Sequence, residues 1–267
     1  MKYLDLDEIK QEELQLLKFF DDYCKKHQIR YFLSNGTLLG AVKYKGFIPW
    51  DDDVDVLVPR EDYDRLVASF VDDDRICLMS CERNPKYLLP FAKLCDMSII
   101  KEETGNDHGT ELGLNVDIFP IDAWPDDLVE AKREAKKIRR NMYALYLSKL
   151  ERPNASTPLK RFAQGGLMLV CRFCSAQYFL RRIISRSLRE KQSQSRYAGC
   201  KCWCIYGSRE IIPAEVFSDT VEVLFEGAIF PAPVGYDTYL RSLYGDYPKD
   251  PPADKQKTHH NFRAYRP

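Results

Sequence analysis

Between residues 6 and 28 the apolar positions Ile9, Leu14, Leu16, Leu17, Phe20 and Tyr23 recur among charges at nearly helical period, which predicts a helix. Residues 29–34 (IRYFLS) are rich in β-formers and are interrupted by Asn35-Gly36. The pattern predicts a strand, a turn, and a helix through TLLGAVKYKG capped by Thr37. Residues 54–58 are almost wholly apolar and predict a buried strand. REDYDRLVASFV then returns to helical spacing. A strand pair follows at YLLPFAKLCD and SIIKEE, and another apolar strand at LNVDIFPID. Residues 126–150 and 159–191 read as two long helices separated by ERPNASTP, a linker with two prolines. From residue 211 onward short strands, prolines and tyrosines lead into a basic tail, KQKTHHNFRAYRP.

These elements predict a mixed α/β (α+β) unit spanning 1–267. Its sheet core covers 30–125, a helical region covers 126–210, and 211–267 packs back on the core. Composition then removes several function classes. Forty Lys and Arg balance forty Asp and Glu, so the chain lacks the surplus positive charge of a general nucleic-acid binder. The N-terminal stretch is acidic where a signal peptide would be apolar, which predicts a cytosolic protein. Nine cysteines without a disulfide-scaffold spacing predict reduced thiols. Cys171 and Cys174 with Cys200, Cys202 and Cys204 form a zinc set only on paper, and buried thiols are the preferred reading.

The chemistry concentrates in GFIPWDDDVDVLVPR. Alternate side chains of a strand share a face, so Asp53 and Asp55 project together while Val54 and Val56 turn into packing. Two adjacent carboxylates are tolerated when a divalent cation or a bound proton relieves their repulsion. Hard oxygen ligands favour Mg²⁺, Mn²⁺ or Ca²⁺ over zinc. Asp117, isolated between Val116 and Ile118 in a later apolar strand, is the candidate third carboxylate. Such a site holds a phosphate chain and stabilises attacking and leaving oxygens in displacement at phosphorus. Gly36 and Thr37, in the turn before a helix, supply backbone N–H groups for phosphate.

NGTLLGAVKYKGFIPWDDDVDVLVPREDYDRL, FAKLCD, ELGLNVDIFPID and the tail YDTYLRSLYGDYPKDPP with its His pair resemble the LicD family of phosphocholine transferases, which is similar to the fukutin-related transferases. The match is dense over about residues 30–125 and returns in the tail. The resemblance implies a nucleotidyltransferase-like fold. It also implies transfer of a phosphoalcohol, typically phosphocholine from CDP-choline, to a glycan or lipid-linked glycan acceptor in lipopolysaccharide, teichoic acid or capsule. It places Gly36, Thr37, Asp53, Asp55 and Asp117 in the site and leaves open whether Asp51 or Asp52 touches metal. A nucleotidyltransferase and a silent glycan-binding homologue are the rival readings.

Around that centre, Lys45 and Lys93 are candidate phosphate contacts, whereas Lys43 reads as a solvated lysine. Trp50 either covers a base or choline headgroup or anchors packing beside Pro49. Tyr236, Tyr239, Tyr244 and Tyr247 read as packing before they read as a choline cage. His260, with His259, is a candidate phosphate or metal contact. The apolar run 167–180 followed by RRIISRSLREK is either a peripheral contact with the inner face of the membrane or an ordinary amphipathic helix.

Overall fold

The computed structural model describes residues 2–103, 108–190, 195–252, 256, 258 and 262–267. In chain order the elements are β1 (Lys2–Tyr3), α1 (Leu6–His27), β2 (Phe32–Leu33), α2 (Asn35–Tyr44), β3 (Val54–Pro59), α3 (Arg60–Ser69), β4 (Ile76–Met79), β5 (Ala92–Glu103) and β6 (Gly113–Trp124). After them come α4 (Leu128–Lys149), α5 (Pro158–Arg172), α6 (Ala176–Ser187), β7 (Tyr197–Gly199), β8 (Ile212–Pro213), β9 (Thr220–Phe225), β10 (Ala228–Pro233), α7 (Tyr236–Tyr244) and β11 (Phe262–Arg266).

The main sheet runs β1-β11-β5-β6-β3-β2, with β4 added beside β5 and β7-β8 continuing from β6. Among the described residues only β3 and β6 pair in parallel, and their register sets Asp55 opposite Asp117. Every residue of β3 is buried, as expected for a strand with neighbours on both edges and packing on both faces. One apolar core joins Leu17 and Phe20 of α1, Val56 of β3, Ile118 of β6, Ile183 of α6 and Leu243 of α7. Arg60 closes the end of β3 by a two-pronged pair with buried Asp122, at 2.7 and 2.9 Å.

The mixed α/β class and the sequence of α1, α2, β3, α3 and β6 match the sequence reading. Four local expectations do not. The strand pair proposed over 87–103 is one long strand, bent where Asp96 pairs with Leu114 but Ile100 pairs with Gly113. A Cβ at Gly113 would lie 2.0 Å from the Asp96 carbonyl oxygen, so the bend closes only on glycine. The strand over 29–34 shrinks to Phe32–Leu33. Asn35 and Gly36 lie inside α2, whose N-cap is Ser34; Thr37 is thus in the first turn and does not cap the helix. The long helix over 159–191 breaks at Phe173–Ser175, where the Ser175 side chain accepts from the Tyr178 N–H and starts α6 afresh.

Candidate active site

The acidic loop before β3 is braced from two sides. Lys10 of α1 donates to the carbonyls of Ile48 and Pro49 at 3.2 and 2.9 Å. Glu226, in the β9–β10 turn, accepts from the Phe47 N–H at 3.0 Å, while its own N–H donates to the Lys45 carbonyl at 2.9 Å. Phe47 packs on Phe225 with ring centroids 4.8 Å apart. The loop therefore enters β3 in a fixed orientation, and Asp51, Asp52 and Asp53 bring one carboxylate oxygen each to within 4.8 Å of one another.

At an effective dielectric of about 20, each like-charged pair at that spacing costs on the order of 3 kcal/mol. Thr258 donates to Asp52 Oδ2 at 2.6 Å. A donor set of three carboxylates fits a hard divalent cation and fits no soft metal.

Asp55 and Asp117 face each other in the β3–β6 register, near enough to the loop for Asp51 and Asp53 to act on Asp55. Asp55 is buried, and desolvation, reinforced by the charges of Asp53, Asp117 and Asp51, pushes its carboxyl well above the ordinary carboxylate range. Two contacts hold it in place. Thr37 Oγ1 accepts from the Asp55 N–H at 2.8 Å, and the Asn35 side chain donates to the carboxylate. Tyr239 in turn donates to Asn35 Oδ1 at 3.0 Å, which directs the Asn35 amide nitrogen toward Asp55. Asn35 adopts φ 44°, a left-handed conformation that asparagine accepts more readily than most residues. Asp117 Oδ1 accepts from Lys93 Nζ and Asn115 Nδ2, each at 2.5 Å, and Lys101 donates to Asn115 Oδ1 at 3.1 Å.

Gly36 earns its place sterically, because a Cβ there would stand 2.5 Å from Asp51 Oδ2. Lys93 is buried and paired with Asp117, so its charge is spent inside the acid centre. Lys45 is exposed at the end of α2 and donates to the Val42 carbonyl. Lys43 is ion-paired with Asp250 at 2.6 Å. Trp50 is half-buried with its ring edge-on to Tyr44 at 6.4 Å. The tyrosines do not form a cage. Tyr239 is buried against Asn35, Tyr244 meets Tyr206 at 3.2 Å, and Tyr247 donates to Asp237. His260 and His259 lie outside the described residues. Cys200, Cys202 and Cys204 are buried thiols, and among the described residues the aspartates are the one metal-capable cluster.

Asn35, Asn115 and Thr258 were not singled out by sequence reasoning. Asn35 had a legible signal, since an Asn-Gly pair before a helix marks a special backbone conformation. Thr258 had none, because its role depends on the tail returning to the loop. A cavity of about 490 Å³ beside Cys24, Tyr31 and Phe230 is lined by Asp21 and Glu222 but by none of Asp51, Asp52, Asp53, Asp55 and Asp117.

Comparison with known proteins adds an independent line. The family described as LicD/FKTN/FKRP, nucleotidyltransferase domain matches residues 28–131, the span holding Asn35, the acidic loop and Asp117. Lipopolysaccharide cholinephosphotransferase LicD of Haemophilus influenzae is 30% identical over 278 aligned residues, covering 99% of each chain. Uncharacterized proteins of Rickettsia prowazekii and Rickettsia typhi are 46% identical over 48 residues, 18% of this chain.

Proposed function

The chain belongs to the LicD family, and from that premise we propose that it transfers phosphocholine from CDP-choline to a hydroxyl of a cell-surface glycan, releasing cytidine monophosphate. The observation that carries this reading is the convergence of Asp51, Asp52 and Asp53 next to the strand position where Asp55 pairs with Asp117. The Haemophilus relative, a lipopolysaccharide cholinephosphotransferase, supports choline as the alcohol and a lipopolysaccharide-type acceptor.

Asp51, Asp52 and Asp53 would hold the cation, Mg²⁺ or Mn²⁺. When bound, the cation neutralises the donor diphosphate and the departing nucleotide. Asp55, fixed by Thr37 and Asn35, keeps the rear of the site rigid. Asp117, oriented by Lys93 and Asn115, is positioned to complete the ligand set or to accept the proton of the attacking hydroxyl. Most of the rate then comes from alignment and charge stabilisation, with no covalent intermediate.

Product analysis of the purified chain with CDP-choline, Mg²⁺ and a lipid-linked glycan tests the proposal. Cytidine monophosphate and phosphocholine-bearing acceptor are the expected products, and EDTA abolishes both. Pyrophosphate released from a nucleoside triphosphate would assign the site to nucleotidyl transfer instead. Silence on CDP-choline, CDP-glycerol and CDP-ribitol would leave a binding protein with the family fold.

A further inference from the structure

Helix α5 has two apolar stripes, and one of them has nothing over it among the described residues. On the inner side Met168 and Cys171 pack with Leu147 and Leu150 of the α4 end. On the opposite side Leu159, Phe162, Leu169, Val170 and Phe173 recur at helical spacing along a single face. They are 79%, 83%, 63%, 65% and 93% exposed. Globular proteins leave single apolar residues in water freely, but a continuous outward stripe marks a docking surface.

Charge identifies what docks there. From Pro158 to Arg189 the chain carries seven basic residues and no acidic one, in a protein of zero net charge. Some of these cations serve the fold: Arg172 donates to the Leu150 carbonyl and Arg186 pairs with Glu134. Lys160, Arg181 and Arg182 are exposed. A second copy docking on this face would set basic against basic. An anionic bilayer surface matches both halves of the pattern, since it accepts an apolar stripe at headgroup depth and attracts the flanking Lys and Arg.

We propose that the outer face of α5, together with the exposed cations Lys160, Arg181 and Arg182 of α5 and α6, lies in the interface of an anionic membrane leaflet and tethers the protein there. The tether does not cross the bilayer: α5 has 15 residues, and no described helix is long and apolar enough to span. Sequence alone put the candidate contact at 167–191 as one helix. The break before α6 moves it toward the N-terminal side, to Leu159 and Phe162, and buries Leu180 and Ile183 of α6.

Sedimentation of the full chain with vesicles of phosphatidylcholine, with and without roughly one-third phosphatidylglycerol, tests this directly. Binding is expected on the anionic vesicles, weakening with salt. Combined Leu159→Ser, Phe162→Ser and Phe173→Ser should lower the partition coefficient at least about tenfold, and Arg181→Glu with Arg182→Glu should lower it on anionic vesicles alone. Because all five side chains are exposed, circular dichroism and Tm should not change. Equal sedimentation of wild type and the triple variant would overturn the proposal. So would a wild-type dimer that the triple variant splits while vesicle binding stays absent. Neither readout involves turnover, so the tether and the transfer reaction stand or fall separately.

Discussion

The acidic loop with β3 and β6, and the helix pair α5–α6, depart from ordinary globular packing in opposite directions. In the first, carboxylates and Lys93 are drawn into a buried strand region where apolar residues would pack at no electrostatic cost. In the second, phenylalanines and leucines are turned to water on a helix whose other side already packs on α4. On the proposed reading, a divalent cation would offset the acids and an anionic membrane would cover the apolar stripe. Departures of this kind locate function more sharply than the well-packed parts do.

The comparison is broken most forcefully at the acids. Asp53→Asn should reduce cytidine monophosphate release at least about 100-fold with the circular dichroism spectrum unchanged, because the proposed cation would lose one of its carboxylate ligands. Asp55→Asn should also abolish turnover, yet in cation-free buffer its Tm should equal or exceed that of wild type. The ionised Asp55 is disfavoured by burial and its acidic neighbours, and each kcal/mol of relieved repulsion raises Tm by about 2–4 °C. A lower Tm for that variant would show that the buried charge stabilises the fold.

A smaller effect separates catalytic acids from a structural one. Glu210 is buried, and desolvation raises its carboxyl to about 8 from 4.5. A raised folded-state value means that the folded protein holds the proton more tightly. Its contribution is therefore full below about pH 4.5 and lost as pH rises to about 8. Urea denaturation from pH 5 to 8 should show stability falling across this window, by roughly 4 kcal/mol at most, and Glu210→Gln should flatten the slope. An unchanged slope would place the titration elsewhere. The smallest change sits at the brace of β3. Thr37→Val keeps the shape but leaves the Asp55 N–H without its acceptor, costing about 1–3 kcal/mol by chemical denaturation.

Much of the acid region was legible in the sequence because its signals are local. The apolar run after the aspartates specified β3, the isolated Asp117 specified its partner strand, and both came together in the parallel register. What was hidden depends on contacts far apart in the chain. Lys93 is adjacent to Asp117 only through β5–β6 pairing, Thr258 reaches Asp52 from the tail, and Tyr239 orients Asn35 from α7. The break at 173–175 was missed because apolar periodicity continues across it, and only the Ser175 cap marks a new start. In α5 the sequence showed amphipathicity but not which stripe faced inward. That choice is made by packing against Leu147 and Leu150.

The most direct measurement is thermal denaturation of the full chain as Mn²⁺ or Mg²⁺ is titrated, for wild type and Asp53→Asn. At about 100 times the dissociation constant a cation that binds only the folded state adds about 2.7 kcal/mol. The account predicts a saturable rise in Tm for wild type that Asp53→Asn loses. The same rise in both proteins, or none in wild type, would contradict the claim that a divalent cation is what makes the buried acid centre tolerable.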